Sequence, residues 1–273
     1  MYECYWKLQQ KPFASGCDPR FYYPGQSHQA ALLKLRYAVE NGCGGALLAG
    51  PSGSGKSLIV SVLRSVLAER FSPVVHLIFP EMSTESLLGC LAEELDRAAE
   101  PASVQSVHHS VRRIERFLGE NAKQGKHAVV IIDEAHLIES GRTWEALRLL
   151  MNFEWEGRPA MTLLVVGQPG ILPILDRMPQ LEERLGVKCL VRPLAAKETA
   201  EYVQHRLSVG GATQNCFEAE ALDTLHQLTH GIPRRINRLC DLALLVGYAE
   251  QRSSISGEQF EAVCQELITV APE

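Results

Sequence analysis

The chain has 273 residues, 46% of them hydrophobic and 22% charged, with a formal net charge of −5 at pH 7. That balance belongs to a folded globular protein and excludes extensive disorder. The net acidity excludes a protein that coats nucleic acid with its whole surface and leaves room only for a local basic patch. No run approaches the roughly 18 apolar residues of a membrane helix. The opening Met1–Lys7 lacks the basic and apolar regions of a secretory signal, so a cytoplasmic protein without a membrane segment is expected. The eight cysteines stand at least 13 positions apart, which rules out C-x-x-C metal or redox pairs and predicts reduced core thiols.

Residues 1–26 carry Phe13, Phe21, Tyr22 and Tyr23 among prolines and glycines. So many rings predict an ordered irregular arm, expected to pack on the domain that follows it. Helical spacing follows over Ser27–Glu40 and stops at Asn41-Gly42. Short apolar runs at Ala46–Ala49, Val74–Phe79, Ala128–Ile132, Met161–Val166 and Val187–Val191 alternate with helical patterns at Ser57–Arg70, Ser86–Glu100, Val104–Ala122 and Thr143–Phe153. Continuous apolar strands between helices predict an α/β domain, residues 27–193, with a five-stranded parallel sheet covered on both faces. From about Leu194 the pattern is helical only (Lys197–Leu207, Glu218–Thr229, Pro233–Tyr248, Ser256–Leu267), which predicts a second, all-helical domain over 194–273.

Gly50-Pro51-Ser52-Gly53-Ser54-Gly55-Lys56-Ser57 fits the phosphate-loop pattern G-x-x-x-x-G-K-[ST], with Leu58 continuing into the helix. Its glycines permit backbone angles that turn N–H groups toward phosphate oxygens. The helix beginning at Lys56 adds its positive end, Lys56 can reach the β- and γ-phosphates, and the Ser57 hydroxyl can ligate Mg²⁺. Roughly one chain in a hundred of this size matches by chance, and the flanking strand and amphipathic helix reduce that further. Val129–Ile132 then delivers Asp133 and Glu134 at a strand's C-terminal end, where α/β ligand sites lie. Asp133 is the candidate Mg²⁺ holder and Glu134 the group to orient or deprotonate an attacking water. Asp133–His136 also spells a helicase class, but the chain is too short for two tandem RecA-like domains and lacks the arginine-rich helicase motif; His136 reads as a partner to nearby polar groups.

Taken together, these motifs resemble an AAA+ ATPase, more closely the ExeA/GspA-type ATPases of type II secretion systems, which are related to TnsC/MuB-type transposition regulators. Further carriers are Lys11-Pro12-Phe13, Asp18–Phe21, His28 with Ala30–Leu35, Gly167-Gln168-Pro169, Leu181–Leu185 and Gly231–Asn237. The resemblance implies ATP and Mg²⁺ as ligands, Gln168 as the polar residue that helps place the water, and Arg184 as an arginine finger donated to a neighbouring subunit. It implies Arg234 as the lid's sensor, with Arg235 as the competing choice, and Tyr22, Tyr23 and His28 as base or ribose contacts. Arg184 also reads as a surface cation beside Glu182 and Glu183. Pro233 suits the first position of a helix, so Arg234 and Arg235 fall in a first turn that disfavours cations unless a phosphate offsets the cost.

Three departures stand out. The acidic motif ends in His136 where the family usually has Gln. Phe79 precedes Pro80 where the family tends to carry an Asn that restrains the catalytic Glu. The chain stops at Glu273 without the membrane helix and wall-binding domain of the larger secretion members. Two outputs fit such a core: a self-associating motor or switch that remodels a protein partner, or a DNA-associated regulator that assembles on duplex DNA. A third is a non-hydrolysing nucleotide-binding scaffold. DNA tracking needs converging cations, for which Arg112, Arg113, Arg116, Lys123 and Lys126, and separately Arg142, Arg148 and Arg158, are the candidates.

Overall fold

The computed structural model describes residues 1–97 and 106–269. The expected helix segments at 98–100 and 104–105 lie outside the described residues. Two compact units emerge: one formed by residues 30–51 and 62–191, the other by residues 1–29, 52–61 and the chain from Arg192 onward.

The first unit carries the parallel sheet. Its strands are β1 (Gly45–Ala49), β2 (Val74–Leu77), β3 (Ala128–Ile132), β6 (Met161–Gly167) and β7 (Leu185–Leu190), in the order β2-β3-β6-β1-β7. All neighbours run parallel, with Ile132 opposite Val165 and Ala49 opposite Gly167. β1, β3 and β6 are buried along their whole length, as expected for strands covered on both faces. The helices of this unit include α3 (Thr84–Leu95), α4 (Val107–Lys123) and α5 (Gly141–Leu150). Each starts at a serine whose hydroxyl accepts an orphan backbone N–H: Ser83 from Ser86, Ser106 from His109 and Ser140 from Thr143. Trp144, fully buried, donates its indole N–H to the Ile138 carbonyl at 3.0 Å, so its own polar atom is not stranded in that core. A two-residue hairpin, β4 (Glu154–Trp155) with β5 (Arg158–Pro159), precedes β6. Two short helices, α6 (Leu172–Asp176) and α7 (Pro179–Arg184), lead to β7.

The second unit holds α8 (Ala196–Val209), α9 (Ala219–Thr229), α10 (Pro233–Ala249) and α11 (Gly257–Thr269). The unit division falls within α1 (Gln26–Glu40) and α2 (Lys56–Val66). The arm groups with this unit. Tyr2, Trp6, Leu8 and Phe13 belong to the apolar core of the helical unit, with Leu207, Leu239, Leu244 and Phe260. Polar anchors decide it. Trp6 donates to the Leu244 carbonyl at 2.9 Å, and Tyr2 hydrogen-bonds Asp241. Arg206, only 4% exposed, donates to the Pro12 and Ala14 carbonyls and to the Tyr202 hydroxyl, and lies 4.7 Å over the Phe21 ring. A buried guanidinium needs several acceptors, and the arm's carbonyls supply them. The cysteines are corrected in part. Cys189, Cys216 and Cys240 are buried thiols, whereas Cys4 and Cys17 are exposed; none is in a disulfide.

Candidate functional site

The phosphate loop from Ser52 to Ser57 belongs to the helical unit. Gly53 (φ +75°) and Gly55 (φ +96°) adopt backbone angles that side-chain-bearing residues rarely take. The loop is fastened from two sides. Buried His28 contributes Nε2, 2.7 Å from the Ser54 carbonyl oxygen, which assigns the donor proton to that nitrogen. Burial holds this imidazole below its ordinary pKa, against a smaller opposite pull from the Ser54 carbonyl, so it sits there neutral. From α10, the Arg234 backbone N–H donates to the Gly53 carbonyl at 3.1 Å, and its guanidinium donates to the Ser52 hydroxyl at 3.3 Å. Of the two arginines that open α10, Arg234 is the one that hydrogen-bonds the loop.

Does this loop suit an anion? Lys56 is 6% exposed, and the Ser54 hydroxyl is buried without a hydrogen-bond partner. Ser57 is exposed and Leu58 half-buried at the start of α2, whose first amides point out of the helix end. Positive-φ glycines, a buried ammonium, a helix N-terminus and an unused hydroxyl together fit a phosphate group.

In the sheet unit, Gly50, Asp133 and Gln168 directly follow β1, β3 and β6, at the same end of the sheet. The Gly50 N–H donates to the Gly167 carbonyl at 3.2 Å, and Pro51 follows half-buried. Asp133 is 4% exposed; its Oδ1 accepts the Glu134 backbone N–H at 2.8 Å, and His76 Nε2 stands 3.5 Å from Oδ2. A buried carboxylate oxygen is a hard donor of the type Mg²⁺ takes. Glu134 has a left-handed backbone, φ +49° and ψ +33°, unusual for a non-glycine residue. Its Oε2 is buried and lies 3.4 Å from His136 Nδ1 without hydrogen-bond geometry. That same ring nitrogen accepts the Gln168 backbone N–H at 3.4 Å. A β-carbon on Gly167 would come within 3.3 Å of the His136 backbone nitrogen, so glycine keeps this corner close. Glu134, His136 and Gln168 therefore form one cluster.

Other expected residues fall elsewhere. Arg184 is exposed at the end of α7 without an ion-pair partner among the described residues, while Glu182 pairs with Lys188. Phe79 is 63% exposed beside Pro80. Tyr23 donates to Glu201, and the buried Tyr22 hydroxyl has no hydrogen-bond partner. Several proposed DNA contacts are already occupied: Arg112 pairs with Glu115, Arg113 with Asp96 and Arg148 with Glu145, with Glu85 4.0 Å from Arg142.

One residue of the site escapes sequence reasoning: nothing in the pattern of β2 marks His76 as Asp133's neighbour. His28, expected as a base or ribose contact, has its bond to the loop backbone.

Residues 39–175, half the chain, match the family model described as an AAA domain. The chain belongs to this AAA family. General secretion pathway protein A of Aeromonas hydrophila is 32% identical over 252 residues, covering 91% of this chain. The chain spans only 45% of that relative's length. Among solved structures, Cdc6p of Pyrobaculum aerophilum superimposes with a TM-score of 0.74 at 16% identity, covering 96% of this chain and 74% of that one. The Aeropyrum pernix ORC2 protein gives 0.71 at 14% identity, covering 95% and 72%. At those identities the likeness establishes the AAA+ fold. Among the described residues no helix is long and apolar enough to cross a membrane.

Proposed function

We propose that the chain binds ATP with Mg²⁺, hydrolyses it, and acts as a self-associating switch on a protein partner. The observation that carries this reading is the phosphate loop: two positive-φ glycines, a buried Lys56 and an unpartnered Ser54 hydroxyl at the start of α2. The backbone N–H groups of residues 53–57 and the Lys56 ammonium hold the phosphates. Ser57 and Asp133 would be the oxygen donors for Mg²⁺, which would supply positive charge to offset that of the phosphates. Glu134 takes the proton of the attacking water or orients it, and Gln168 helps place that water. Arg234, bonded to the loop at Ser52, reaches phosphate from the lid. Arg184 is presented outward, as a finger for the nucleotide of a second copy requires; there its guanidinium stabilises charge on the transferring phosphoryl group.

Residues 27–193 act in this reading as the nucleotide-binding domain and 194–273 as its lid. The relative named for general secretion supports a protein partner, and the reading places the chain in the cytoplasm, where ATP is at hand. The test is direct binding of a fluorescent ATP analogue. Lys56→Ala should abolish binding, and Glu134→Gln should retain it. Unchanged binding by Lys56→Ala would overturn the assignment of the loop.

A further inference from the structure

Of the cations singled out by sequence, Arg112, Arg113 and Arg148 are neutralised by acids, whereas Lys126 and Arg158 are not, and Arg70 joins them. In the sheet unit, Arg70 after α2, Lys126 after α4 and Arg158 on the β4–β5 hairpin line one groove of about 850 Å³. All three are exposed, and none has an ion-pair partner among the described residues. Of the acids in the lining, Glu40 is taken by Arg36 at 2.7 Å, which leaves Glu156 at the hairpin turn. His127 adds no charge at neutral pH: burial, with Arg70 assisting, holds its imidazole below the ordinary pKa. The groove is thus net cationic on an acidic protein.

Its location separates it from the phosphate chemistry. Gly42, His127 and Ala160 in the lining lie just before β1, β3 and β6 begin, whereas Asp133 and Gln168 follow the other ends of β3 and β6. Five strand residues at roughly 3.3 Å each put about 16 Å between the two edges.

We infer that this groove binds the phosphate backbone of duplex DNA. The choice of partner follows from what lines it. Protein interfaces centre on a buried apolar core, whereas nucleic-acid interfaces are polar and positively charged. The exposed lining here is polar, with Phe71 and Val39 buried. Single strands need open aromatic faces for stacking. The Trp155 and Phe71 rings of the groove are covered by the protein's own cations: Lys123 Nζ lies 5.1 Å from the Trp155 centroid, and the Arg70 guanidinium 4.7 Å from that of Phe71. No helix or strand in the lining is built to read bases, so the contact is to phosphates and independent of sequence.

The inference stands apart from the ATPase reading and is tested on the full chain by fluorescence anisotropy with a labelled duplex of about 30 base pairs. Three phosphate contacts predict that log K falls with log salt at a slope of about −2.7 between about 50 and 200 mM. The triple variant Arg70→Glu, Lys126→Glu, Arg158→Glu should bind at least about tenfold more weakly at the low-salt end and lose most of that slope. Arg112→Glu, whose native partner is Glu115, serves as the control and should leave the slope in place. A far-UV circular dichroism spectrum and a melting temperature equal to wild type certify that the triple variant is folded. The proposal is overturned if wild type shows no salt-sensitive duplex binding, if the folded triple variant binds as tightly as wild type, or if single-stranded DNA or polyglutamate binds with the same affinity and slope.

Discussion

Gly53→Ala perturbs the phosphate loop at its most constrained point. The native φ of +75° costs an alanine about 1 kcal/mol relative to glycine. The new β-carbon would also sit 2.7 Å from the Arg234 β-carbon, which is anchored by the backbone of α10 and cannot swing aside as a side-chain tip can. Relieving such overpacking costs about 1–3 kcal/mol. The total is about 2–4 kcal/mol, which corresponds to about 30-fold to nearly 1,000-fold in ATP affinity if binding carries all of it. A loop that relaxes only when empty puts the cost into binding; a loop that stays strained puts it into the melting temperature. Both are therefore measured, ATP-analogue affinity by titration and stability by thermal unfolding. Gly42→Ala is the control: its φ is +63° but nothing lies within 4 Å of the added carbon. It should cost about 1 kcal/mol of stability and leave affinity unchanged. A Gly53→Ala protein that matches wild type in both affinity and melting would refute the idea that this glycine shapes the loop against Arg234.

If Arg184 acts on a neighbour's nucleotide, mixing Arg184→Ala with Lys56→Ala protein should restore part of the activity that each lacks alone; no recovery over a range of mixing ratios argues against a finger in trans. Burial holds His28 and His127 below the ordinary imidazole pKa. Below about pH 6.5 the unfolded chain therefore binds more protons than the folded one, and stability present above that pH is lost as pH falls. The slope should reach at most about 1.4 kcal/mol per pH unit for each group, and a double His28→Gln, His127→Gln variant should show a flatter melting profile between pH 6.5 and 5. An identical profile would show that these histidines do not carry the acid sensitivity.

How legible was this molecule in its sequence? Where the determinants are local, very. Ala128–Ile132 could hardly be anything but a buried strand, and the spacing from Gly50 to Ser57 specifies its own turn. The hairpin at Glu154–Pro159 was missed, although Glu156-Gly157 has the form of a two-residue turn with both φ values positive. The docking of the arm was not legible. Its aromatic residues suit any apolar surface, and the choice is made by Arg206, 192 positions beyond Ala14, through carbonyl contacts that no local pattern announces. His76 was obscure for the same reason: it stands beside Asp133, a residue far along the chain, and the bond of His28 to the Ser54 carbonyl likewise joins distant positions. The cation candidates held only in part: Lys126 and Arg158 line the groove, while Arg112, Arg113 and Arg148 are paired with acids. Helical spacing showed that Arg112 and Arg116 share a face, but spacing is silent on acids such as Asp96 that reach across from another helix to Arg113.

Steady-state phosphate release from ATP, measured across a range of protein concentrations for wild type and Glu134→Gln, tests the central claim most directly. Turnover per chain that rises with concentration in wild type, and that falls by about 100-fold or more in a Glu134→Gln protein still able to bind ATP, is the predicted result. Wild-type turnover in Glu134→Gln, or no turnover by wild type at any concentration, would contradict it.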